Sequence, residues 1–159
     1  MRIMSLDVGS RTIGIACSDA LLMTAQGIET IRRTSLEKDF NRLQELISEY
    51  EVHELVVGMP KNMNGTKGER AEKTEEFVAK MKEVIDLPVT YWDERLSTVM
   101  AERQLIAADV SRKKRKSVID KMAAVVILQG YTKILRVKCI IWNSKTNMVI
   151  NNTSQKMLS

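Results

Sequence analysis

Two apolar runs at the start of the chain, RIMSLDV at 2–8 and TIGIAC at 12–17, are separated only by Gly9-Ser10-Arg11. Three residues are too few for a crossover connection, so the runs can pair only as an antiparallel hairpin, with Gly9 at the tight position. The stretch TAQGIETIR at 24–32 reads as a third antiparallel strand. A chain that opens as a meander must then cover it. Thr34-x-x-Glu37 forms a capping-box pattern, and Leu36, Phe40, Leu43, Ile47 and Tyr50 follow at helical spacing. A short apolar strand is expected at 54–58 (ELVVG), then a loop, MPKNMNGTKG. Thr74, Phe77, Val78, Met81, Val84 and Ile85 mark a second amphipathic helix that stops before Pro88. PVTYW at 88–92 is strand-like, and DERLST leads into a helix capped by Ser97 or Thr98. After a basic loop at 112–116, Ser117 opens a final helix through about Tyr131. The order predicts an α/β fold: one five-stranded mixed sheet, three antiparallel strands then two parallel ones, flanked by helices.

At 159 residues and 44% hydrophobic content the chain suits a single globular unit. No apolar run reaches membrane-spanning length and the N-terminus lacks the pattern of a signal peptide, so a cytoplasmic protein is expected, with no membrane partner. Cys17 and Cys139 match no zinc or disulfide spacing. The net charge of +5 invites a nucleic-acid reading, but five of the 25 basic residues lie in the acid-free segment 132–159. The remaining 20 equal the 20 acidic residues, so only local patches can favour a polyanion. That segment, rich in Asn, Ile, Lys and Met and without clear periodicity, reads as an atypical tail, a strand addition or linker, or as non-native sequence. We therefore expect a domain at 1–131 and a separate tail at 132–159.

If 2–8 is a strand, Ile3, Ser5 and Asp7 share one face, and an ionised Asp7 under a helical layer needs a partner or a metal. The plainer alternative is an Asp that accepts N–H bonds in the following turn. Asp120 precedes Ala123, Ala124, Ile127 and Leu128, so it ends an apolar helical stripe whose alanines allow close approach. It also suits the N3 position of a helix capped by Ser117. Asp93-Glu94 lies just past a strand, where loops of open sheets carry function; alternatively it is a solvated pair beside Arg95. Together these acids form an oxygen-only set suited to Mg²⁺ or Mn²⁺, and two such ions about 4 Å apart can activate water against a phosphodiester. The loop GMPKNMNGTKG, 58–68, offers amides, Asn and Lys that suit phosphate, unless it is merely a flexible connection; it is not a P-loop. RKKRK at 112–116 is a solvated loop or, beside a carboxylate site, a contact for backbone phosphates through Arg112, Lys113 and Lys114. The lone His53 reads as structural or exposed, and Cys17 and Trp92 as packing residues.

LDVGSRTIGIACSD, VVGMPKNMNGTKG, DERLST followed by Ala101-Glu102, and IDKMAAVVILQGY resemble, in order and spacing, the motifs of the bacterial YqgF family, also called RuvX. The resemblance spans about 1–131. It implies a ribonuclease H-like fold similar to that of RuvC-type Holliday junction resolvases, and a role in maturing the 5′ end of pre-16S rRNA. By it, Asp7, Glu94 and Asp120 would be the metal-binding catalytic acids, with Asp93 the rival to Glu94. Arg11 and Arg95 would hold phosphate, Asn62, Gly65 and Lys67 would contact the strand, and Asp19 would order the turn after the second strand. Met4-Ser5 stands where the family more often has Leu-Gly. The implied activity is a metal-dependent nuclease acting on structured RNA, with branched DNA as the alternative substrate. A resolvase would be expected to form a symmetric homodimer. LDVGS before a hairpin also resembles actin-like kinases, but those need a second lobe. An inert nucleic-acid-binding domain is the remaining alternative, disfavoured because an unused acid cluster repels itself.

Overall fold

The computed structural model describes residues 1–62, 64–96 and 115–158, with side chains described only between 118 and 145 in the last span. One sheet holds β1 (Arg2–Val8), β2 (Thr12–Ser18), β3 (Ala25–Arg32), β4 (Val52–Met59) and β5 (Val89–Asp93) in the order β3-β2-β1-β4-β5. β1–β2 and β2–β3 are antiparallel, whereas β1–β4 and β4–β5 are parallel, as expected from the sequence. Gly9 at the β1–β2 turn serves clearance, since a Cβ there would lie 2.9 Å from the Thr12 carbonyl oxygen.

The pleat sends alternate side chains to two different layers. On one face Met4, Leu6, Val8, Ile13, Ile15, Leu55 and Val57 pack under α1 (Leu36–Glu49) and α2 (Glu69–Lys82) with Phe40, Leu43, Phe77 and Met81. The Phe40 and Phe77 rings meet at 5.2 Å. Cys17 joins this core as a packing residue, and of the two readings of His53, structural or exposed, the structure shows it exposed. On the other face Ile3, Ala16, Val56 and Trp92 meet Ala123, Ala124, Ile127 and Leu128 of α3 (Arg115–Leu158). Trp92 packs edge-on against Tyr131, with ring centres 6.4 Å apart.

Three local expectations are corrected. The cap of α1 is Ser35, extended and accepting from the Lys38 amide at 3.3 Å, while the Thr34 amide instead donates to Asp39. Val84 is exposed because α2 has already ended at Lys82. α3 is already helical at Arg115, ahead of Ser117, and runs unbroken to Leu158, so the tail is helical rather than a strand or linker. It follows that Asp120 lies past the first turn of α3, not at N3 of a helix capped by Ser117. The helix expected after DERLST, Ala101-Glu102, and Arg112, Lys113 and Lys114 lie outside the described residues. Among the described residues no helix is long and apolar enough to cross a membrane.

Candidate active site

The unusual feature of the α3 face is how little side-chain volume separates helix from sheet. A Cβ at Gly14 would lie 2.0 Å from the Asp120 carbonyl oxygen, so the helix backbone rests directly on β2. One turn along, Ser5 donates to the Ala124 carbonyl at 2.6 Å. The Ser that replaces the family's more frequent Gly therefore still admits the helix and satisfies its own hydroxyl. Ala123 and Ala124, both almost wholly buried, complete the close contact.

This contact delivers Asp120 to the C-terminal end of β1. Asp7 pairs with Gly14 across the antiparallel ladder, and Gly14 is where the Asp120 backbone touches down. On the other side Leu6 pairs with Val57, so Gly58 follows at the level of Asp7 on β4. A Cβ on Gly58 would lie 2.8 Å from Glu94 Oε1. Asp7, Glu94 and Asp120 are only 1%, 9% and 9% exposed, against the strong preference of carboxylates for water. Ligands and reacting groups gather at such C-terminal strand edges in open α/β sheets.

Two side chains reach these acids from distant parts of the chain. Asp120 accepts from the Thr12 hydroxyl, and Arg70 Nη2 lies 3.6 Å from Asp7 Oδ1. Neither Thr12 nor Arg70 was indicated by the sequence, because each reaches its acid across a long stretch of chain. Among the described residues, no three acidic, histidine or cysteine side chains are gathered closely enough to grip one ion. The donor chemistry nonetheless suits a hard divalent cation: carboxylate oxygens, removed from water, with two glycines that let the Asp120 backbone and the Glu94 side chain come close to the sheet.

The remaining candidates separate into two groups. Asp93 is held by Arg95 at 2.6 Å, and that guanidinium keeps its carboxyl below the usual range. Asp93 is thus an ion-pair residue, while Glu94, in the 3₁₀ turn Glu94–Leu96, faces inward against Gly58. Arg95 also lies beside Gly65, whose φ of 85° belongs to the left-handed region. The loop carrying Gly65 is a built turn, not a slack connection. Gly65 donates its amide to the Asn62 carbonyl at 2.8 Å, Asn62 Nδ2 donates to Thr66 Oγ1 at 3.0 Å, and Lys61 bridges to Lys67. Lys67 pairs with Glu75 at 2.5 Å, which raises the pKa of its ammonium. Arg11 is exposed on the β1–β2 turn beside Thr12. Asp19 does order the next turn: its Oδ1 accepts from the amides of Met23 and Thr24 at 2.7 and 3.2 Å.

Comparison with known proteins bears on this arrangement. The sequence model of the family described as "RuvX: Holliday junction resolvase" matches residues 1–133. A "Putative pre-16S rRNA nuclease" from Desulforamulus reducens is 67% identical over 131 residues, covering 82% of this chain and 96% of that protein. A protein of the same description from Desulfitobacterium hafniense is 61% identical over 138 residues, 87% of this chain and 96% of its own. Among solved structures, Thermus thermophilus RuvC in complex with Holliday junction substrate superposes with a TM-score of 0.53 at 14% identity, covering 84% of this chain and 96% of that one. At that identity the likeness is one of fold, the ribonuclease H-like fold.

Proposed function

Because the chain belongs to the RuvX family and is a nuclease by that membership, we propose that it hydrolyses phosphodiester bonds at the carboxylates Asp7, Glu94 and Asp120, using Mg²⁺ or Mn²⁺, two ions at full occupancy. What supports this reading is the burial of three acids carried by β1, the turn after β5 and α3, with the Asp120 backbone on Gly14, the ladder partner of Asp7, and Glu94 Oε1 against Gly58. Bound cations would supply an activated water and neutralise the leaving oxygen. The chain's own groups do the rest. Ser5 and Gly14 fix α3 and so the position of Asp120, Thr12 orients that carboxylate, and Gly58 lets Glu94 turn inward. Asn62, Gly65 and Lys67 on one loop, with Arg95 beside Gly65, form the strand-holding side, with Arg11 and the basic residues Arg112, Lys113 and Lys114 as further phosphate contacts.

The substrate that the relatives' names favour is pre-16S rRNA, cut in maturing its 5′ end during ribosome biogenesis in the cytoplasm. A second reading, resolution of four-way DNA by a homodimer, is favoured by the family description and the RuvC-like fold. We assign the activity to residues 1–131; the family match ends at 133, which supports that boundary. One experiment tests both readings. Wild type and Asp7→Asn are compared on a labelled pre-rRNA 5′ leader and a four-way DNA junction, with Mg²⁺, Mn²⁺ or chelator. Metal-dependent cleavage of one substrate, absent in the variant, is expected, and the substrate cut decides between the readings. Equal cleavage by Asp7→Asn would remove the site assignment.

A further inference from the structure

We propose that Arg70 is a cation-responsive phosphate clamp: it ion-pairs Asp7 while no cation is held, and turns into the adjoining cleft to bind a strand phosphate when Asp7 engages a divalent ion. The inference rests on the acid-site reading above. It begins from an asymmetric pair, in which Asp7 is 1% exposed at its side chain and Arg70 is 49% exposed. At 3.6 Å the contact is an ion pair too long for a hydrogen bond, far from the two-pronged fork that fixes a guanidinium. Arg70 is therefore attracted to Asp7 without being locked to it.

The same side chain lines a cleft of about 380 Å³ between the β1–β2 turn and the start of α2, with Gly9, Ser10, Arg33, Glu69 and Lys73. Arg33 is fixed there: Nη1 donates to the Gly9 carbonyl at 2.7 Å, Nε lies 3.7 Å from Asp39, and the guanidinium sits 5.1 Å above the Phe77 ring. Lys73 and Glu69 pair with each other at 2.9 Å, and both are exposed, so they add little net field. Arg70 is thus the charge in this cleft whose availability can change. The N-cap of α2 is Gly68, which offers no side-chain acceptor to the first amides of the helix that carries Arg70.

A divalent ion on Asp7 and a guanidinium beside the same carboxylate repel each other. Release of Arg70 places its charge in the cleft next to the reacting site, where the backbone phosphate of the cleaved strand or its neighbour neutralises it. By linkage, metal and strand then bind cooperatively, and Arg70 carries part of that coupling.

The test uses the full chain, Mn²⁺ titrations by calorimetry, and the affinity for a short phosphorothioate RNA strand at several salt concentrations, for wild type, Arg70→Gln and Asp7→Asn. Thermal melting verifies that each variant is folded. For Arg70→Gln we expect Mn²⁺ alone to bind roughly threefold tighter, since a competing cation is gone. In Mn²⁺ the strand should bind about tenfold weaker, with a salt slope reduced by about one phosphate contact. Unchanged or weaker Mn²⁺ binding in Arg70→Gln, while Asp7→Asn still abolishes it, would overturn the exchange and leave the acid site standing. Undiminished Mn²⁺ binding in Asp7→Asn would overturn the acid site, and this inference with it.

Discussion

The two faces of the sheet are built on opposite principles. Under α1 and α2 the strands present Met4, Leu6, Ile13, Ile15, Leu55 and Val57, large side chains that interlock with Phe40, Leu43 and Met81. Under α3 the same strands present Ser5, Asp7, Gly14, Ala16 and Gly58 beside Ile3, Val56 and Trp92, and at the glycines the helix comes down onto the backbone. Each fully buried large aliphatic side chain on the first face is worth about 1.5–3 kcal/mol relative to exposure. The second face forgoes much of that volume and buries three carboxylates instead. If the proposed acids carry the cleavage, stability is concentrated on one side of the sheet and chemistry on the other, and the two should be separable by mutation.

The largest effect expected is on the chemical face. Asp7→Asn should lower cleavage by more than about a hundredfold, since losing a metal ligand exceeds the loss of an outer-shell partner. Its melting temperature should hold or rise as carboxylate repulsion is relieved. A clear drop in melting temperature would mean that Asp7 is structural, and would blur the contrast between faces. On the apolar face, Leu43→Ala should cost about 2–5 kcal/mol in urea unfolding, with cleavage per folded molecule unchanged. Loss of specific activity there would show that the faces are not independent. Gly14→Ala sits on the boundary between these behaviours. The new methyl meets the Asp120 backbone and must displace α3, so stability should fall by about 1–3 kcal/mol and cleavage should fall with it.

The smallest effect concerns the outer surface. Arg42 binds Glu29 at 2.7 Å, and that hydrogen bond holds the Glu29 carboxyl below its ordinary value near 4.5. A folded-state pKa lowered in this way contributes stability above the unfolded value and loses it as pH falls through the folded one. Melting followed from about pH 6 down to about pH 3 should therefore show a shallower acid decline in Arg42→Ala than in wild type, with cleavage at neutral pH unaffected. An equally steep decline would assign the acid sensitivity to other carboxylates.

How much of this was legible in the sequence depended on whether the signal was local. The meander, the two parallel strands and the packing face of α1 rest on period and turn residues, and the structure reproduces them. Asp7 and Asp120 stood out because a carboxylate interrupts an apolar stripe. Ala123 and Ala124 announced the close helix contact, although Gly14, its counterpart on β2, carried no sign of it. Arg70 and Thr12 left no trace because their meaning arises only when distant segments meet. The capping oxygen of α1 was misplaced by one residue, since Thr34 and Ser35 are both good caps and only the fold chooses between them. The tail of α3 failed to show helical periodicity for a physical reason. Thr132 is buried and Leu135 packs on the core under α3, but Ile140 and Trp142 are 66% and 71% exposed, so burial imposes no apolar period there.

The order in which the three acids occur along the chain has a consequence for synthesis. The whole sheet is complete at Asp93, and Glu94 follows at once, but Asp120 belongs to the last helix and is held by Thr12 from more than a hundred residues earlier. A nascent chain that has emerged only through the sheet has its apolar face and two of its acids, but lacks the third. If these three acids are the cleaving set, cutting ability is acquired only after Asp120 has emerged and docked, delayed by topology alone. An enzyme made by the machine whose RNA it is proposed to trim would then remain unarmed until that helix is in place.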